Sequence, residues 1–525
     1  SWNKGNHSFK FGADLRWNRS DIFGGSSAHG NFTFDGQFTR ISFGDFLLGM
    51  PSSAALTTLL VGNMRYRNTM FYALDDWKIT PRLTLNAGIR YELTTPWIEK
   101  YNNMNTLGID PGPNFNQILR AGYCGDSYAC RGLVSFDRNN WAPRLGLAYQ
   151  VTRRTVARVG AGVFYGGQGA LGASARGVNN FPYNRRVTVQ STATAAALRL
   201  ADGFPANFLG NAATPPDNSN WVVWQTDFPS PTVFQWNAAV QHEVRRDMSL
   251  TVAYVGSGSS YIMEGYNWNG SPPGPPATER QRRRIPAWNT IDLQSPYGHA
   301  SYHGLDVQLE RRYTRGLSLS AAYTWGHSID NVPEQFGSGG GGLQDFRDFS
   351  ASRGNSNFDA RHRFVAGSVY QLPWGIQVSG LAAAGTGHYF TPTLPNARQR
   401  IGATAVGSWW PDRIASGRLE NRTADRWFDT SAFVLPRAAD GSLRLGNAGR
   451  AILNSDGDFN VDVGVLKSFA VTERARVELR WEVFNLTNTP TLGDPETNVE
   501  SPDFGKVRST VSVPRQMQFA VRVTF

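Results

Sequence analysis

Met517, Phe519, Val521, Val523 and Phe525 alternate with Gln518, Ala520, Arg522 and Thr524, so the last segment has one apolar and one polar face at the period of a β-strand. The same period sets Val477, Leu479, Trp481 and Val483 against Arg476, Glu478, Arg480 and Glu482. Four charges on one strand face are too costly to place in lipid or in a dry core, which assigns them to a water-filled lumen. Leu83, Leu85, Ala87, Ile89 and Tyr91 alternate in the same way with Thr84, Asn86, Arg90 and Glu92, which adds Arg90 and Glu92, and from the last segment Arg522, to the expected lumen lining. About 14 such segments are expected, starting near residues 8, 65, 83, 143, 155, 232, 248, 301, 316, 361, 375, 458, 473 and 514.

The connections constrain the topology further. Short ones, at Thr80-Pro81-Arg82, Thr152-Arg153-Arg154, Arg245-Arg246-Asp247, Thr314-Arg315-Gly316, Leu372-Pro373-Trp374 and Ala470-Val471-Thr472, alternate strictly with long ones of roughly 30 to 70 residues. A membrane barrel with short periplasmic turns and long extracellular loops has this asymmetry, and a soluble sandwich or propeller has no reason for it. The long connections contain Gly/Pro runs such as Ser271 to Pro276 and Gly337 to Gly342, read as flexible or polyproline-like loop because no Lys-Ser/Thr follows the glycines. Phe43 to Met50 and Ala193 to Ala201 are read as short helical pieces within loops.

Composition agrees: 12% aromatic residues and 55 glycines suit hairpins with aromatic girdles, and no stretch nears 18 consecutive apolar residues, which leaves strands as the route through a membrane. The net charge of +11 comes mostly from arginine, 46 of the 52 basic residues, but these are dispersed rather than gathered on one element, so no nucleic-acid partner is expected. Arginine forks suit anionic solutes in a pore or lipid phosphates, and a compositional bias of the genome explains them as well. Cys124 and Cys130, six apart in a loop-like stretch, are expected to close a small disulfide in an oxidising compartment. The opening Ser1-Trp2-Asn3-Lys4 carries neither Met nor an apolar leader, which reads as an internal or processed start.

Once the strands are placed, several strings resemble the barrel of TonB-dependent receptors, particularly the Oar-like group. They are the run Phe71 to Glu92 around Asp75-Asp76-Trp77 and Thr80-Pro81-Arg82, Trp427 to Phe433, Gly446-Asn447-Ala448-Gly449-Arg450, Glu482 to Asn488, and the ending Pro514 to Phe519. The resemblance implies an all-β, antiparallel up-and-down transmembrane barrel of about 22 strands, filled by an N-terminal plug and energised by TonB. About 14 strands fall short of that number, so residues 1–525 are expected to be the C-terminal barrel portion without plug or TonB-contacting segment. A terminal Phe525 resembles the signal read by the barrel-insertion machinery.

The expected function is therefore an outer-membrane import receptor, not an enzyme, that binds a solute at its extracellular loops and contacts outer-membrane lipid and lipopolysaccharide. The competing readings are a passive porin-like channel complete in about 14 strands, and a secreted all-β carbohydrate-binding protein whose oily strand faces form a buried core. Loop tryptophans Trp221, Trp224, Trp268, Trp409 and Trp410 are expected to be exposed, and either contact ligand or pack the loops together. Arg280, Arg282, Arg283 and Arg284 form the densest basic cluster, suited to an anionic ligand or lipopolysaccharide phosphate, with a solvated charge run as the default. His299 and His303 stand four apart on an expected strand with no following Glu, so no metal site is expected, and no cofactor is implied.

Overall fold

The computed structural model describes residues 1–25, 27–109, 117–166, 177–191, 195–210, 215, 219–332 and 343–525. The glycine run 337–342 and the first part of the expected helical piece at 193–201 fall outside these residues. One sheet of 18 strands dominates. Fourteen are long: β1 (His7–Gly24), β2 (Leu60–Thr80), β3 (Leu83–Thr94), β4 (Trp141–Thr152), β5 (Thr155–Tyr165), β6 (Thr232–Arg245), β7 (Met248–Asn267), β8 (Ile291–Thr314), β9 (Leu317–Asp330), β10 (His362–Gln371), β11 (Ile376–Gly385), β12 (Asp458–Ala470), β13 (Arg476–Phe484) and β14 (Gln516–Thr524). Each pairs antiparallel with the next. The remaining four, Trp2–Lys4, Ile98–Glu99, Trp221–Trp224 and Gly354–Asn355, are short additions that alternation did not reveal.

The short connections are turns of two to five residues. Two of them need a left-handed backbone at consecutive positions, Arg315 (φ 53°) with Gly316 (φ 81°) and Trp374 (φ 63°) with Gly375 (φ 72°), the arrangement whose twist matches paired strands. At the other end the strands are longer than alternation indicates. β8 begins at Ile291, ten residues before the expected start, and the connection before it is only 268–290. Pro296 and Gly298 read as strand breakers, but the β7–β8 register shifts between Ile262↔Gly298 and Glu264↔Ser295, so Pro296 sits where no ladder bond is required. In loops, a helix covers Ser42–Leu47, and a single 3-10 turn covers Leu200–Asp202.

Register fixes the faces. Leu479 opposes Val521 and Trp481 opposes Phe519, while Glu478 opposes Arg522 and Glu482 opposes Gln518. The apolar face is bare: Trp17 is 69% exposed and Phe519 79%. These oily faces are not a buried core, which rules out the secreted-protein architecture. Aromatic residues gather toward the strand ends, with Tyr91 on Trp141 (4.4 Å between centroids) and His7 on Trp77 (5.0 Å).

The sheet is open. β14 pairs with β13 alone, and β1 pairs on its outer side only with Trp2–Lys4, opposite His7 to Phe9. The competing reading of a porin-like channel complete in about 14 strands gains no support from the pairing: among the described residues no pairing joins the two edges.

Candidate functional site

The hydrophobic core lies not between strands but among the long connections. Trp221, Val223, Tyr266, Trp268, Ile291, Leu293 and Phe346 pack into one cluster with Leu107, Ile109, Phe181, Leu343 and Ala405, joining five connections and the protruding ends of β7 and β8. Trp221–Trp224 pairs in parallel with Ile291–Gln294, which hardwires the connection after β5 to β8. Four further clusters form, around Met64, Met104 and Val178, around Trp427, Phe428 and Phe433, around Leu394, Ile401 and Trp409, and around Phe228 and Met263. The connections thus make a packed layer at one end of the sheet.

This corrects the expectation of exposed tryptophans. Trp221, Trp268, Trp409 and Trp410 are buried, and Trp224 is half-buried against Phe228. Trp221 packs on Trp288 at 5.1 Å, and the Trp409 indole N–H donates to the Arg444 carbonyl at 2.9 Å. With no membrane face available, these large rings leave water by packing loop against loop.

The arginine cluster is also structural in part. Arg283 is buried and donates to both oxygens of Glu279 at 2.7 and 2.8 Å. Arg398 reaches the same carboxylate at 3.2 Å, and Ser271 and Thr404 hydroxyls donate to it. Burial pushes the Glu279 pKa up, but Arg283 and then Arg398 outweigh it and hold the carboxyl at about 2. Arg282 donates to the carbonyls of Pro275 and Gly402, Arg280 to that of Pro286, and Arg284 lies 4.5 Å over the Trp268 ring. Of the four, Arg280 and Arg284 remain exposed, so the run is not simply solvated.

Alternation and spacing missed the polar residues that fix this layer. Asn269 is fully buried, with its amide donating to the carbonyls of Ile285, Trp288 and Asn289 and its oxygen accepting from the Ile285 N–H. Arg450 pairs with Asp330 at 2.5 Å and donates to the Ser352 carbonyl at 2.8 Å, 98 residues away in sequence. The only signal for Arg450 was its place in the string Gly446 to Arg450. Cys124 and Cys130 are joined by a disulfide.

Between the connections lies a cavity of about 660 Å³ lined by Asn267, Asn289, Asn396, Arg398, Gln399 and Trp409, among others. Only Arg398 and Trp409 of these belong to the basic and aromatic sets just described; the rest are amide side chains that offer both donors and acceptors. A second recess of about 610 Å³ lies against the sheet, with Glu310, Ser320, Gly367, Asp462, Gly464 and Glu482 around it. It marks the inner face. Along that face Arg480 bridges Glu478 (3.0 Å) and Glu482 (3.9 Å), and Arg90 pairs with Glu92 at 3.0 Å; Arg476 stands opposite Thr524. His299 and His303 both lie in β8, and the His303 Nδ1 shares a 2.7 Å hydrogen bond with the Tyr254 hydroxyl. Among the described residues no group of three or more His, Cys, Asp or Glu is placed to hold a metal ion.

A sheet with one bare apolar face, charges on the other, tight turns at one end and a packed loop layer at the other defines an outer-membrane β-barrel protein. The family model for the outer membrane beta barrel domain matches residues 1–518, and the chain belongs to that family. Its place is the outer membrane. Among solved structures it is similar to the outer membrane transporter YddB from Escherichia coli, with TM-score 0.51 and 10% identity over 100% of this chain and 52% of that one. The siderophore receptor PiuA from Acinetobacter baumannii gives 0.48 and 11% over 100% and 54%, and the ferric-catecholate import receptor Fiu from E. coli K12 gives 0.44 and 13% over 100% and 53%. The chain thus spans about half the length of the solved structures it resembles. No curated protein matches its sequence.

Proposed function

We propose that this chain is the barrel portion of a TonB-dependent-receptor-like importer that binds a polar solute at its extracellular loop layer and passes it inward along the charged inner face. The observation that carries the reading is the open cavity of about 660 Å³ between loops from separate hairpins, where amide and hydroxyl side chains such as Asn267, Asn396, Gln399 and Thr404 stand beside Asp292, Arg398 and the apolar Phe346, Leu394 and Trp409. Fold likeness to an outer membrane transporter supports it. Ion pairs such as Arg480 with Glu478 leave the route charged but locally balanced. A plug and a TonB contact belong to this proposal as partners supplied outside residues 1–525, as does recognition of the final strand by the barrel-insertion machinery.

The test is a thermal-stability screen of the native protein, extracted from outer membranes, against ferric chelates, oligosaccharides and short peptides, followed by uptake of the stabilising solute into cells with and without TonB. Stabilisation that weakens about tenfold in apparent affinity on Gln399→Ala, with uptake lost in the absence of TonB, supports the reading. Uptake that persists without TonB overturns the energised route, and stabilisation indifferent to Gln399→Ala and Asn267→Ala overturns the cavity as its site.

A further inference from the structure

The outward face of β1 and β2 changes character near the loop end. On β1 it carries Phe9, Phe11, Ala13, Leu15 and Trp17, and on β2 it carries Trp77, Asp75 (bonded to His7 at the turn end), Ala73, Phe71 and Thr69. Immediately beyond, Arg67 stands opposite Trp17, Arg65 opposite Arg19, and Asn63 opposite Asp21. The short strand Ile98–Glu99 adds a third column: Ile98 opposes Arg65, and the Lys100 N–H donates to the Asn63 carbonyl. The alternate residues face the other way, since Met64 is fully buried against Leu60, Met104 and Val178. With about 5 Å between strands and about 7 Å between alternate residues, Arg19, Arg65, Arg67 and Lys100 occupy a patch roughly 10 by 14 Å.

Asp21 is the one carboxylate on this grid, bonded to Arg19 at 2.5 Å and Arg65 at 2.8 Å. Three of the four cations are therefore left in excess. Arg67 is exposed and its guanidinium has no partner among the described residues, and the Arg19 side chain is 69% exposed. Lys100 lies 4.8 Å over the exposed Tyr101 ring. Below the cations Trp17 closes an apolar run that starts at Phe9, and beyond them the exposed pair Phe23 and Val61 stands on the same face, so the cations interrupt the apolar face toward its loop end, on the side of the sheet that faces away from the lumen.

We infer that this patch binds the phosphate groups of outer-leaflet lipopolysaccharide, with Arg65, Arg67 and Arg19 donating to phosphate oxygens, Lys100 supplying a further charge, and Trp17 seated at the acyl boundary. Guanidinium forks match phosphate geometry, and a solute bound for the lumen does not meet this face. The ligand is held by its anionic headgroup and by the membrane that already contains it.

The test uses the native protein extracted in detergent and titrated with bisphosphorylated lipid A, dephosphorylated lipid A and inorganic phosphate. Bisphosphorylated lipid A should bind at least tenfold tighter than the dephosphorylated form, with inorganic phosphate a poor competitor. Each cation removed should weaken binding about fivefold, so R65Q/R67Q should lose roughly 25-fold, whereas R480Q on the inner face should leave binding unchanged. Equal binding of both lipids, effective competition by inorganic phosphate, or undiminished binding by R65Q/R67Q would each overturn the assignment. Should the double variant misfold, the wild-type comparison of the two lipids decides alone.

Discussion

Burial by itself would raise the Glu279 pKa, but Arg283 and then Arg398, with a hydrogen bond from Ser271, hold the carboxyl at about 2 against an ordinary 4.5. A depressed carboxyl pKa contributes stability that is fully present above pH 4.5 and is lost as the pH falls toward 2, here on the order of 3 kcal/mol. Hydrogen-exchange protection factors across residues 268–290, corrected for the intrinsic rate at each pH, should therefore fall in that acid window in the wild type, and E279Q should show a flatter profile across it. Arg283→Met should act at neutral pH, costing about 3 kcal/mol because it leaves a buried carboxylate with Arg398 as its remaining ionic partner. Unchanged protection in Arg283→Met would show that the pair does not hold the layer together. Part of this was legible: Glu279 and Arg283 stand four apart. Arg398 and Thr404, more than 100 residues away, join the network only because the connection after β11 folds back over the one after β7.

For the strands, sequence and structure coincide because one rule decides both. A residue on a strand of this sheet faces either lipid or the lumen, so alternation along the chain records orientation directly. The six tight turns and most strand starts followed from it. The loop layer did not, since its residues are chosen by contacts between distant segments and have no period: Trp221 and Ile291 meet in a parallel pair that no local pattern announces. The face assignment gives a direct prediction for β13 and β14. Leu479→Arg or Val521→Arg should cost about 2 to 4 kcal/mol in membrane insertion where the position lies near the midplane, while Arg480→Gln should be tolerated. Folding into vesicles, followed against denaturant, measures both; equal costs on the two faces would overturn the assignment.

An open sheet in a bilayer is a problem for residues 1–525 taken by themselves. Along β14 every second residue directs its N–H and C=O away from β13, and β1 does the same beyond Phe9, so both edges present unpaired backbone groups to hydrocarbon. Each unmet group costs several kcal/mol there, more in sum than the stability of a typical domain. Residues 1–525 expressed alone should therefore not give a monomer that migrates compactly in detergent and slows on boiling. They should associate edge to edge into dimers or larger species, and mass in detergent should rise with concentration. Proline at the β14 positions whose N–H points away from β13, either the Ala520 and Arg522 set or the Phe519 and Val521 set, should reduce that association without displacing β13. A concentration-independent, heat-modifiable monomer would mean that β1 and β14 can pair with each other, a closure that requires the strand tilts of the whole sheet to change together.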